Sequence, residues 1–176
     1  MSSREEELMV AYQAGDKRAL EQIYMLLQPA LYSFVYRYTR EEQLSIDIVQ
    51  DCFVKLQQYK DDYEPSKGKL KPYLFQIAYR IMVTKLNRRK KLQTFFPFLV
   101  PTTKESLDHT DRITIRKAVA NLPEIQRAVI ILFYYHDMSQ VEIAEILGIP
   151  KGTVKSRLHH AIQTLKKKLG GDFLGS

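Results

Sequence analysis

SQVEIAEILGIPKGTVKSRLHHAIQTLKKKL, residues 139–169, reads as two helices joined by a tight turn. Ser139 and Glu142, three places apart, form a capping box that starts the first helix. Val141, Ile143, Ala144, Ile146 and Leu147 give that helix an apolar stripe, and Gly148 stands where a left-handed residue is needed once it has ended. Pro150 opens the second helix, whose buried face is Val154, Leu158, Ala161, Ile162, Leu165 and Leu169 at helical spacing. Its other face shows Lys151, Lys155, Ser156, Arg157, His159 and His160. Basic and hydrogen-bonding groups crowded near the start of a second helix are the geometry of a helix-turn-helix, whose second helix enters the major groove. Two ordinary amphipathic helices with a solvated charged face fit the same pattern, so the weight falls on the rest of the chain.

The whole chain has 176 residues, room for one domain or two small ones. A net charge of +7 favours a polyanionic partner, nucleic acid or an acidic membrane. The one cysteine, Cys52, excludes an internal disulfide framework, and its apolar neighbours suggest a packed thiol. No apolar run approaches the length of a membrane span or a signal-peptide core. The expectation is a soluble, cytoplasmic protein without membrane insertion.

Taken in order, the chain is helical nearly throughout. Ser3 with Glu6 caps a first helix to about Ala14, ended by Gly15. Asp16 caps a second that carries Ala19, Leu20, Ile23, Tyr24, Leu27, Leu31, Phe34, Val35 and Tyr38, with Pro29 expected to kink or break it. A third runs from about Ser45 to Gln58, with Ile46, Val49, Phe53 and Leu56 on one side and Asp47, Gln50, Asp51 and Lys55 towards the other. A loop, Tyr59 to Lys69, leads to a fourth helix of about Leu70 to Lys91, with Pro72 in its first turn. Lys85, Arg88, Arg89, Lys90 and Lys91 crowd its far end, either as a solvated C-terminus favoured by the macrodipole or as a seat for something negative.

From Gln93 to Thr110 the helical period fails, and FFPFLVPTTKESLDHT (95–110) reads as a linker. Phe95, Phe96, Phe98 and Leu99 are unusually apolar for a free linker, which places the segment against its own domains or a partner. Asp111 then caps a helix offering Ile113, Ile115, Ala118, Val119 and Leu122 to the core; Pro123 interrupts it, and Glu124 to Tyr135 resumes with Ile125, Val129, Ile130, Leu132 and Phe133. The predicted fold is all-α: two small helical domains, 1–92 and 111–170, joined by a flexible linker, 93–110.

Three segments carry a resemblance that covers nearly the whole chain. DIVQDCFVKL (47–56) resembles region 2.2 of group IV, or extracytoplasmic function (ECF), sigma factors; YLFQIAYRIMVTKLNRR (73–89) resembles regions 2.3 and 2.4; and LPEIQRAVIILFYYHDMSQVEIAEILGIPKGTVKSRLHHA (122–161) resembles region 4. That family is the promoter-recognition subunit of bacterial RNA polymerase in its minimal two-domain form. The resemblance implies that residues 1–92 are region 2, docking on core polymerase and engaging the −10 element, and that 111–170 are region 4, reading the −35 element and helping the enzyme to promoters it then opens.

Residue by residue, the resemblance implies that Asp47, Gln50 and Asp51 dock on the clamp of the largest polymerase subunit, with further contact to the second-largest. It assigns −10 recognition to Tyr59, Tyr63, Tyr73 and Arg80, where a non-template base is flipped into a pocket, and phosphate contacts to Lys85, Arg88, Arg89 and Lys90. It assigns −35 base edges to Lys155, Ser156, His159 and His160, and phosphates to Lys151, Thr153 and Arg157 beside a helix N-terminus. An anti-sigma factor, soluble or membrane-bound, is an implied partner, and the holoenzyme would lie on the nucleoid. No catalytic residue, cofactor or metal site is expected: adjacent His159 and His160 point about 100° apart on a helix and cannot share a tetrahedral ion.

The chain departs from the family pattern at three places. Tyr73 stands where members commonly have Trp, Arg80 where Asn is common at the flipped-base pocket, and Thr84 where Asp is common. Arg presents donors only, whereas Asn both donates and accepts, so the family's −10 base preference does not carry over. Two rivals from other classes remain at the level of pattern, a free-standing helix-turn-helix regulator and a helical adaptor for protein contacts; co-purification with core polymerase separates both from a sigma factor.

Overall fold

A computed structural model describes residues 2–99 and 115–170. Helices α1 (Arg4–Gln13), α2 (Lys17–Thr39), α3 (Glu42–Gln58) and α4 (Leu70–Phe95) form an N-terminal bundle; α5 (Ile115–Ala120), α6 (Glu124–Ile130), α7 (Gln140–Leu147) and α8 (Lys151–Leu169) form a C-terminal one. No strand occurs among the described residues.

The N-terminal bundle follows its cap signals. Glu6 accepts the Ser3 N–H at 2.8 Å, and Asp16 accepts the Arg18 N–H at 3.0 Å to start α2. Glu6 also reaches across the bundle, accepting the buried Leu70 N–H at 2.9 Å, so the cap of α1 doubles as the cap of α4. Pro29 neither ends nor divides α2, which runs unbroken past it. The core consists of Met9, Ile23, Leu31, Phe34, Ile48, Leu56, Leu74, Phe75 and Met82, with the Phe34 and Phe75 rings stacked 5.2 Å apart. Helix α3 begins three residues before the predicted start, and Ile48 and Cys52 rather than Ile46 fill its buried side. Tyr24 is exposed, its ring tilted over Phe53 at 4.8 Å.

In the C-terminal bundle the predicted signals reappear as geometry. Ser139 Oγ accepts the Glu142 N–H at 3.1 Å while Glu142 accepts the Ser139 N–H at 2.8 Å. Gly148 adopts φ 65°, the left-handed turn that lets α8 leave α7 at an angle. The helix after Pro123 ends in a π-helical turn, Ile131–Tyr135, that carries the chain towards the N-terminal bundle. Leu122, Val129, Ile131, Leu132, Ile143, Ile146, Val154 and Ala161 are buried here. Ile115, Ile125 and Val141 are exposed although their spacing suits a core; Val141 instead faces a cleft beside α4.

The two bundles pack together, with α7 along α4 and the π-helical turn against α2. His136 is the wedge, its ring 5.1 Å from Phe75 and 6.1 Å from Phe34. Arg37 lays its guanidinium 3.8 Å over Tyr135, and Arg127 donates to the Tyr38 carbonyl at 3.0 Å. Helix α4 extends to Phe95, three residues into the segment read as linker. Phe95, Phe96, Phe98 and Leu99 are exposed rather than packed on either bundle. The rest of that segment, with the expected Asp111 cap and Ile113, lies outside the described residues.

Candidate nucleic-acid interface

Three surfaces gather the residues singled out from the sequence. On α3, Asp47, Gln50 and Asp51 are exposed on the side opposite Ile48, Val49 and Cys52. Val54, 48% exposed, continues their stripe one turn on. Its trace in the sequence is an apolar residue seven places after Asp47, which a stripe drawn through Ile46 leaves out.

The second surface lies along α4 and the loop before it. Two 3-10 turns, Lys60–Asp62 and Pro65–Lys67, shape that loop, and the Gln13 side chain pins it by donating to the Lys60 and Tyr63 carbonyls, each at 2.8 Å. Tyr63 is buried and its hydroxyl is engaged, donating to the Gly68 carbonyl at 2.9 Å. Tyr73 is half-buried with its ring 5.2 Å from that of Tyr63; Tyr59 and Arg80 are exposed. Burial pushes the Tyr73 hydroxyl up, Asp62 adds to the rise and Arg80 opposes it, which keeps the phenol neutral and able to donate. Further along α4, Lys85 pairs with Asp51 at 3.0 Å, Arg89 with Glu41 at 2.6 Å and Lys90 with Glu124 at 2.5 Å. Arg88 is exposed. The basic end of α4 is therefore held by carboxylates from α3, from the turn before α3 and from α6.

A cleft of about 410 Å³ opens between this surface and α7, with Tyr63, Lys67, Lys69 and Tyr73 on one wall and Val141 and Glu142 on the other. Gln76 donates to the Glu145 carbonyl across it at 2.8 Å.

The third surface is the outer face of α8. Lys151, Lys155, Ser156, His159 and His160 are exposed there, and Thr153 is half-buried at its start. Arg157 is half-buried and turned towards the N-terminal bundle, close enough to Tyr79 to draw down a phenol that burial pushes up. The His159 and His160 rings lie edge to face at 5.7 Å, and no group of three or more His, Cys, Asp or Glu suited to a metal occurs among the described residues. Among the same residues, no helix is long and apolar enough to cross a membrane.

Comparison with known proteins gives these surfaces a family. The family model for Sigma-70 region 2 matches residues 23–92, and that for Sigma-70, region 4 matches residues 112–165. The ECF RNA polymerase sigma factor SigW of Bacillus subtilis is 29% identical over 173 residues, spanning 88% of this chain and 91% of that protein. The sigma factor RpoE, solved in complex with the anti-sigma factor NepR from Bartonella quintana, superposes with a TM-score of 0.71 at 29% identity, over 86% of this chain and 97% of that one. CnrH, solved with the cytosolic domain of CnrY, shares the fold at a TM-score of 0.73 and 24% identity, over 97% of this chain and 99% of that one. With an all-α fold, a capped helix-turn-helix and both regions matched in order, the chain belongs to the sigma-70 family as an ECF sigma factor, a promoter-specificity subunit of RNA polymerase.

Proposed function

We propose that the three surfaces divide the family's work as follows. The exposed face of α3, Asp47, Gln50, Asp51 and Val54, docks on the clamp of the largest core polymerase subunit, and region 4 reaches the second-largest. Tyr59, Tyr73 and Arg80 take up the −10 strand, with Tyr63 stacked behind Tyr73 as support. Lys85, Arg88, Arg89 and Lys90 hold its phosphates. On α8, Lys155, Ser156, His159 and His160 read −35 base edges while Lys151, Thr153 and Arg157 hold phosphates. The domain division 1–92, 93–110 and 111–170 belongs to this reading. So do a cytoplasmic location, residence on the nucleoid within the holoenzyme, and capture by an anti-sigma factor, as for the Bartonella relative.

The observation that supports this reading best is the exposed basic face of α8, presented by a helix-turn-helix with both predicted caps formed. The polymerase, rather than this subunit, supplies the chemistry of RNA synthesis, in keeping with the family's non-enzymatic role. Reconstitution tests it: core polymerase mixed with the chain should transcribe selectively from a promoter pool and protect the −35 and −10 elements of the chosen templates. Site-specific DNA binding without core, and no transcription with it, would return the reading to a free-standing regulator.

A further inference from the structure

The loop that leads into α4, residues 59–69, has little to hold it by itself. The backbone bonds in its two 3-10 turns, from the Asp62 N–H to the Tyr59 carbonyl and from the Lys67 N–H to the Glu64 carbonyl, both at 3.0 Å, are local. What fixes the loop comes from α1, a helix that carries none of the groups ascribed above to DNA or polymerase. Gln13, half-buried at the end of α1, donates its side-chain amide to the Lys60 and Tyr63 carbonyls at 2.8 Å each. One side chain thus spaces two loop residues: Lys60, next to the exposed Tyr59, and Tyr63, whose ring lies 5.2 Å from that of Tyr73. The ring of Tyr12, beside Gln13, lies 5.3 Å from the Lys60 ammonium. Two turns earlier on the same side of α1, Glu6 accepts the Leu70 N–H at 2.9 Å, so α1 grips both ends of the loop.

We propose that Gln13 is a positioning residue for −10 recognition: its amide holds the loop in the shape that presents Tyr59, Tyr73 and Arg80 to the single strand, and so sets how sharply −10 bases are told apart. The proposal rests on the assignment of this loop and the start of α4 to the −10 strand. A loop ordered before the strand arrives loses no freedom when it binds, and a base pocket discriminates only as well as its walls are held in place. Without Gln13, two part-buried carbonyls lose their donor and the loop keeps only its local turns.

The test uses holoenzyme carrying the full chain with Gln13→Met, which keeps the length and helix preference of glutamine and removes both donors. Open-promoter formation is read across a −10 library at fixed −35 and a −35 library at fixed −10, beside affinity for core and thermal stability. Gln13→Met should flatten the −10 preference about fivefold or more, the low end of what a good base contact discriminates, with the −35 profile and core affinity unchanged. Gln13→Lys, whose ammonium can donate to both carbonyls, should restore the preference; a charge acting only on phosphates would tighten all −10 sequences alike. An unchanged −10 profile in Gln13→Met, or equal flattening of both libraries, overturns the proposal. A Gln13→Lys profile as flat as that of Gln13→Met traces the defect away from the two hydrogen bonds and overturns it as well. Tyr59→Ala with Arg80→Ala tests the assignment beneath it. If that pair flattens the −10 profile while Gln13→Met does not, the positioning role fails and the assignment stands; if neither changes it, both fall.

Discussion

Lys85 Nζ lies 3.0 Å from the Asp51 carboxylate, so a lysine assigned to promoter phosphates is paired with a carboxylate assigned to polymerase docking. Both side chains are substantially exposed, and such pairs contribute roughly 0–1 kcal/mol. Asp51→Asn should therefore leave thermal stability nearly unchanged while lowering affinity for core polymerase. Lys85→Ala should spare core affinity and reduce the salt dependence of promoter binding by the holoenzyme. Titration of both variants against core, then against promoter at several salt concentrations, checks this; the same defect in both would remove the division of labour.

On α8, Lys155→Ala should change base preference at one or two −35 positions, at a cost of about 1–3 kcal/mol for a good base contact. Lys151→Ala should weaken all sequences alike and flatten the salt dependence. A −35 library read with each holoenzyme distinguishes them, and matching profiles would show that readers and phosphate holders have been mis-sorted. Arg157→Ala, by its position near Tyr79, should leave the library profile unchanged.

Glu6 joins α1 to the start of α4. Its burial raises the carboxyl's pKa, but hydrogen bonds from Ser3 and from the Leu70 N–H outweigh that and leave it below the ordinary 4.5. A depressed carboxyl stabilises the fold above its unfolded pKa, and that contribution is lost as pH falls through the lower, folded value. Glu6→Ala should cost about 1–3 kcal/mol at neutral pH by leaving the Leu70 N–H buried without an acceptor. Glu6→Gln, which keeps an acceptor, should recover part of it in urea unfolding and remove this group's share of the acid sensitivity.

His136 links pH to the packing of region 4 on region 2. Burial, then Lys71 and Arg37, push its pKa down to about 4 from the ordinary 6.5, against a small opposing pull from Asp137. Released from the wedge, the imidazole takes up a proton near 6.5, so the packed arrangement is favoured most above that value and loses support as pH falls from 6.5 towards about 4. The radius of gyration measured by scattering should rise across that window. In His136→Gln it should not respond to pH there; an unchanged rise would place the titrating group elsewhere.

The helix-turn-helix was legible because its signals are local: Ser139 with Glu142, Gly148 and Pro150 each act within four residues, and each took the predicted role. At Pro29 the expected break does not occur, because α2 runs on past the missing N–H with Ile23, Leu27, Leu31 and Phe34 buried on either side of it. Ile46 and Val141 depart from their expected burial for another reason. Apolar spacing identifies a stripe but not which neighbouring position the partner helix selects, and Val141 belongs to a stripe that meets α4 rather than its own bundle's core. Contacts such as Gln76 with Glu145, or His136 with Phe75, join residues far apart in the chain and leave no periodic trace in it.

Cys52, fully buried in α3, donates weakly to the Leu74 carbonyl at 3.5 Å, and burial pushes its thiol up to about 12. Oxidants attack thiolates that solvent can reach, and at neutral pH this sulfur meets neither condition. It is also the chain's one cysteine. The subunit's own thiol is thus shielded from peroxide and from disulfide exchange, and a thiol-based response of its promoters to oxidative stress has to be sensed by another molecule and passed to it by binding.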